Sequence, residues 1–160
     1  MVATGKSGSR YQATPHFLLA IPTLLLNQRK EDSGLHVLAM HQYIVKHHLL
    51  DTMQKAFEVV PEMVYKPADA FHKIVAGEYE YVNIDDMAGK IAGVMLVPYP
   101  PGIPILMGGE RITDDAKAII DYLKRREDFE NEFPGYEGDI HGVERVKTPE
   151  GTVFRTMCLV

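Results

Sequence analysis

Four prolines within seven residues constrain this chain more than any other feature. They stand in Leu96-Val97-Pro98-Tyr99-Pro100-Pro101-Gly102-Ile103-Pro104, which runs on through Ile105-Leu106-Met107 into Gly108-Gly109-Glu110. Each proline fixes φ and removes a backbone donor. Each also drives the residue before it out of the helical region. No helix and no central strand can run through such a stretch. The expectation is a stiff extended loop over residues 98–104, entered by an apolar strand at 93–97 and left by another at 103–107. Every X–Pro bond in it is expected to be trans, since cis accounts for about 5–6% of such bonds in folded proteins. A loop this stiff is either a crossover braced on the domain's own core or a surface that shapes a pocket mouth or subunit contact. Both readings stay open on the residues alone.

The rest of the chain suits one ordinary globular domain of 160 residues, with 46% hydrophobic and 24% charged residues. A net charge of −5 argues against nucleic acid as a partner, because phosphate binding needs a basic footprint. Cys158 has no second cysteine to pair with. It reads as a small buried hydrophobe in a protein of the reducing cytoplasm. Seven histidines offset the acidic excess as pH falls toward 5, which lowers the repulsion between copies.

Residues 1–34 read as a leader or linker, or as the remnant of a preceding segment. Gly5-Lys6-Ser7 echoes the end of a phosphate-binding loop but lacks that motif's leading glycine. The apolar run at residues 17–26 follows basic residues as in a signal peptide. However, Pro22 interrupts it, no small-residue cleavage site follows, and it is too short to span a membrane. It reads as a core segment or as one covered by a neighbour.

Residues 35–57 read as one amphipathic helix, with Val37, Met40, Ile44, Leu49, Met53 and Phe57 on one side. His41 and His48 then share a face, but no pattern supplies a third metal ligand. Residues 67–76 read as a second helix, with Pro67 in its first turn and Gly77 past its end. Residues 78–84 alternate as a strand. Asp85-Asp86 belong to a turn, and residues 91–97 would complete a hairpin. Thr113-Asp114-Asp115 opens a third helix to Glu132, with Ala116, Ile119, Ile120, Leu123 and Phe129 inward. Lys124-Arg125-Arg126 reads as a solvated run. Two strands close the chain around Thr148-Pro149-Glu150-Gly151. The expected class is α+β: a small, mostly antiparallel sheet with packed helices.

The Pro98–Pro104 stretch with Gly109-Glu110 resembles the C-terminal domain of the bacterial inducible ornithine/lysine/arginine decarboxylases. Other segments fit that domain in the same order. These are Met40-His41 with Gln54-Lys55-Ala56, Pro67 with Ala70, and Val75 with Gly77, Glu80 and Val82. Further on come Gly89-Lys90-Ile91-Ala92, Phe133-Pro134-Gly135-Tyr136-Glu137 and Asp139-Ile140-His141-Gly142. The resemblance covers residues 35–160. It implies part of a large enzyme, in which a separate domain holds pyridoxal phosphate on a lysine and decarboxylates a basic amino acid. The C-terminal domain would pack on that domain, join in oligomer contacts and frame access to the active site.

The lysine-bearing Ser-x-His-Lys segment of such enzymes has only a faint echo at residues 11–16, where His16 takes the lysine's place. Histidine cannot form the Schiff base. No catalytic, cofactor-binding or metal residue is therefore expected in this chain. The resemblance assigns the access or interface loop to Pro98, Tyr99, Pro100, Pro101, Gly102, Ile103 and Pro104. It places Glu110 beside the loop, to attract a cationic substrate or simply to cap the following helix. His141 beside Asp139 is either a pH-responsive contact or a loop histidine without a role. Asp139-Ile140-His141-Gly142 and Glu110-x-Ile112-Thr113 look like the lysine enzymes, Met157-Cys158 like the arginine ones. The implied partners are the pyridoxal-phosphate domain and further copies, in the cytoplasm, without nucleic acid or membrane. The alternatives are a free-standing association or regulatory domain, or a small enzyme using Glu110 and a histidine.

Overall fold

The computed structural model describes residues 32–160, so the glycine-bearing start and the apolar run at 17–26 lie outside the described residues. The chain divides into two compact units between Ala39 and Met40, and the core lies in the second.

The long N-terminal helix is in fact two, α1 (Asp32–Lys46) and α2 (Leu49–Glu58). The chain breaks at His48, which takes the left-handed conformation at φ 52°. Histidine is among the non-glycine residues that tolerate this region, and its Nδ1 pairs with Asp51 at 3.0 Å. The apolar spacing still serves: Leu49 and Ala56 are buried, and Met40, Ile44, Met53 and Phe57 pack beside them.

After β1 (Glu62–Met63) comes α3 (Pro67–Val75), with proline in its first turn. Gly77 stops it at φ 81°, donating to Ile74 O while Glu78 donates to Lys73 O. This is the Schellman arrangement, for which glycine carries no Cβ penalty.

The remaining strands are β2 (Tyr79–Asn83), β3 (Ile91–Ala92), β4 (Val97–Tyr99), β5 (Glu110–Arg111), β6 (Asp139–His141), β7 (Glu144–Thr148) and β8 (Gly151–Leu159). The main sheet runs β1-β5-β3-β8-β2, with β7 also on β8; β4 and β6 form a separate ladder. Every pairing is antiparallel, and with α4 (Lys117–Glu132) this is the expected α+β architecture.

The expected hairpin between residues 78–84 and 91–97 does not form. β2 pairs with β8 instead, from Tyr79↔Leu159 to Asn83↔Arg155. A 3-10 turn at Ile84–Asp86 diverts the chain. Gly89 N–H to Ile112 O at 2.7 Å and Ile112 N–H to Lys90 O at 3.1 Å then tie it to the segment after β5. β8 is long enough to serve three partners, β7 over residues 151–155 and β2 and β3 toward its end.

α4 buries Ile119, Ile120, Leu123 and Phe129 as its spacing requires. It also buries Glu127 and Glu130, and both carboxylates are put to use. Glu127 accepts the Phe154 N–H at 2.5 Å and Lys124 Nζ at 2.6 Å. Asn131 exchanges two hydrogen bonds with the Thr152 backbone, at 2.7 and 2.8 Å. Since the β2 register ends at Arg155, α4 side chains satisfy the stretch of β8 that β2 leaves uncovered, as exposed edges require. Lys124-Arg125-Arg126 is accordingly half-buried rather than a solvated run. Lys124 bridges Asp85 and Glu127, and Arg126 lies against Gly138.

Candidate functional site: the proline-rich loop

Leu96 and Leu106, both fully buried, clamp the base of the loop. Leu96 N–H donates to Leu106 O at 2.8 Å, and Ile105 N–H donates to Leu96 O at 2.9 Å. Of the two expected flanking strands only this bridge and Val97, the first residue of β4, are paired. The regular strand lies inside the proline-rich stretch: β4 pairs Val97↔His141, Pro98↔Ile140 and Tyr99↔Asp139 with β6. Proline is tolerated there because a two-stranded ladder consists of edges.

Pro98 is fully buried, and its carbonyl accepts the Gly102 N–H at 2.8 Å to close the turn. Gly102 has φ 80°, and the Tyr99 ring occupies the space an added Cβ would need. The Tyr99–Pro100 and Pro100–Pro101 bonds are cis, against the trans expectation. Underneath, Gly142 at φ 83° brings its backbone so close to Met95 O and Leu96 that no side chain would fit.

On this locked base the outer surface is apolar. Tyr99 and Ile103 are 47% and 55% exposed, and Pro100, Pro101 and Pro104 are exposed beside them. His141 stands on the same ladder, its ring 5.0 Å from that of Tyr99 and its Nε2 3.4 Å from Asp139. The pairing of two segments forty residues apart makes one surface of residues singled out separately. Asp139 and His141 were legible as a pair, but nothing in the spacing announced their contact with Tyr99.

Glu110 lies in β5, opposite Met63. Its carboxylate accepts the Met107 N–H at 2.7 Å, so it braces the turn leaving the loop and does not cap the following helix. Beside it Gly109, at φ 94°, lets the backbone approach Tyr65, and its carbonyl accepts the N–H groups of Val64 and Tyr65 at 3.0 Å each.

Other chemistry is sparse. Burial pushes the Cys158 thiol up to about 11, the opposite of an activated nucleophile. Among the described residues no three of His, Cys, Asp or Glu are grouped to hold a metal. None of the described helices is long and apolar enough to cross a membrane.

Residues 50–160 match the family described as Orn/Lys/Arg decarboxylase, C-terminal domain. The chain belongs to this family. Lysine decarboxylase LdcA of Pseudomonas aeruginosa is 41% identical over 121 residues, which make up 76% of this chain and 16% of that protein. The inducible lysine decarboxylase of Escherichia coli K12 is 43% identical over 106 residues, 66% of this chain and 15% of that protein. The biodegradative arginine decarboxylase of the same organism is 32% identical over 107 residues, 67% of this chain and 14% of that protein. A solved structure of lysine decarboxylase A from Pseudomonas aeruginosa superposes with a TM-score of 0.70 at 41% identity, over 76% of this chain and 16% of that one. The chain thus spans about one sixth of the length of these relatives.

Lys73, Lys90 and Lys124 do not fit the pyridoxal phosphate implied for decarboxylases of this kind. It requires a lysine whose pKa is depressed so that it can attack as a free amine. Hydrogen bonds to Glu78 and Glu80 push Lys73 and Lys90 up instead. For Lys124, burial works downward, but Asp85 and Glu127 outweigh it and the net shift is also upward.

Proposed function

We propose that this decarboxylase C-terminal domain works as part of a cytoplasmic pyridoxal-phosphate enzyme that decarboxylates a basic amino acid. It is not catalytic alone. It packs on the cofactor-binding domain and joins in oligomer contacts, and the loop Pro98–Pro104 frames access to the active site. One observation carries the reading: three quarters of this chain matches about one sixth of a lysine decarboxylase, the relation a domain bears to its enzyme. The bare apolar surface of a tightly braced loop supports a docking role, because apolar patches rimmed by polar groups mark interaction sites. Lysine is the favoured substrate, since the lysine enzymes are 34–43% identical to the chain, the arginine enzyme 32% and the ornithine enzymes 29–30%.

The test is the size of the native polypeptide, read by blotting source cells with an antibody raised against residues 40–160. A band several times larger than 160 residues is expected. That polypeptide, assayed with lysine, arginine and ornithine, should release carbon dioxide fastest from lysine. A band at the size of this chain would overturn the reading and favour a free-standing association domain.

A further inference from the structure

α3 carries an apolar arc wider than this domain covers. At 100° per residue, Ala70, Ile74, Pro67, Phe71, Val75 and Ala68 follow one another around about 160° of its circumference. His72, Asp69 and Lys73 fill the rest. One edge of the arc is in use. Ala70 is fully buried, and Ile74 lies on Gly93, where an added Cβ would sit 2.6 Å from Ile74 Cδ1. The other edge is bare: Phe71 is 63% and Val75 70% exposed, with Pro67 and Ala68 exposed beside them. On the polar side Lys73 pairs with Glu78 at 2.5 Å and stands 5.3 Å from the Tyr65 ring. Single exposed apolar residues need no explanation. Two large ones a turn apart, continuing a face already half buried, belong to a helix lodged between two bodies.

We propose that the Phe71–Val75 edge of α3 docks on an apolar surface of the pyridoxal-phosphate-binding domain of the same polypeptide, a second contact besides the proline-rich loop. This rests on the function proposed above. Two arguments select the occupant. First, the chain accounts for only 16% of the matching lysine decarboxylase, so in a protein of that design most of the available surface belongs to other domains. Second, a helix of nine residues is about 14 Å long. Two large and two small side chains on it fall short of the ~800 Å² per partner that a free-standing complex buries. A second copy held by this edge alone would therefore dissociate. A neighbour on the same chain needs far less area, because the linkage supplies an effective concentration in the millimolar range.

The test places a photoactivatable benzoylphenylalanine at Phe71, at Tyr99 or at the exposed turn residue Glu150 in the full-length decarboxylase. The Phe71 probe is expected to cross-link within one polypeptide, to peptides of the cofactor-binding domain, with a yield at least about tenfold above that at Glu150. Cross-links from Phe71 to a second copy, or a yield no higher than at Glu150, would overturn the proposal. The Tyr99 probe reports separately on the loop. Cross-linking from Tyr99 without Phe71 defeats the α3 contact and leaves the proposed function standing. Failure at both positions defeats the α3 contact and the docking role of the loop, while the size and activity of the native polypeptide decide the rest of the proposed function.

Discussion

Arg145 on β7 grips Glu130 on α4 through two hydrogen bonds, from Nε at 2.7 Å and from Nη2 at 2.9 Å. The Gly138 N–H adds a third to the same carboxylate at 3.1 Å, and Arg145 also donates to the Gly138 carbonyl. Helix, sheet and the turn before β6 are thus joined at one buried charge. The Glu130 side chain is 1% exposed and that of Arg145 27%. This difference makes the two halves of the pair unequal. Arg145→Met leaves the buried carboxylate only the Gly138 N–H and the more distant Arg126, at 3.7 Å, and should cost up to about 3–5 kcal/mol. Glu130→Ala leaves an arginine that reaches solvent and should cost less. Urea denaturation of both variants checks the order, and equal losses would refute it.

Asn131 supplies the donor and acceptor that Thr152 lacks beyond the end of β2. Asn131→Ala removes both bonds and should cost about 1–2 kcal/mol. The clearer readout is local. The Thr152 amide should exchange with deuterium much faster in the variant, while Phe154, held by Glu127, keeps its protection.

Cys158 gives a pH dependence with a definite sign. Burial raises its folded pKa to about 11, above the roughly 8.5 of an unfolded thiol. The unfolded chain therefore releases its proton first, and stability falls as pH rises. The contribution is fully present below about pH 8.5 and is lost toward pH 11. Wild type should lose more stability than Cys158→Ala across that window in denaturant titrations. Maleimide should label the native thiol at pH 8 far more slowly than the urea-unfolded one.

Glu110 separates a bracing role from a charge role. Glu110→Gln keeps an oxygen for the Met107 N–H and should melt close to wild type. Glu110→Ala leaves that donor without its partner and should cost about 1–3 kcal/mol. In the whole decarboxylase, a KM for the cationic substrate that stays unchanged in Glu110→Gln assigns the carboxylate to bracing alone. A raised KM, with weaker salt dependence, assigns it to attraction as well.

Tyr99 and Ile103 tell the loop's surface apart from its frame. Being half exposed, Tyr99→Ala and Ile103→Ala should each shift stability by no more than about 1 kcal/mol. The same changes should lower the activity or assembly of the full-length enzyme severalfold, read by assay and analytical ultracentrifugation. Gly142→Ala is the contrasting case. Its left-handed backbone alone would add about 1–3 kcal/mol of strain, and its Cβ would meet Met95 O, so the domain itself should destabilise.

Local rules determined what local physics controls. Four prolines set the stiff loop, Pro67 and Gly77 bounded α3, Thr113-Asp114-Asp115 placed the start of the last helical region, and the motif order around Pro98–Pro104 carried the family. Each depends on neighbours within a few residues, where φ restriction, capping and periodicity act. The tertiary structure alone decided the rest. β2 chose β8 over β3 because strand pairing is settled by long-range register and by where a turn sends the chain. The helix at residues 35–57 broke at His48, although its apolar spacing read straight through. Nothing within a few residues of Glu127 and Glu130 marks them for burial; the Phe154 amide and Arg145, 27 and 15 residues away, are what hold them there. A charge's environment belongs to whatever folds against it, and one strand's sequence does not contain that.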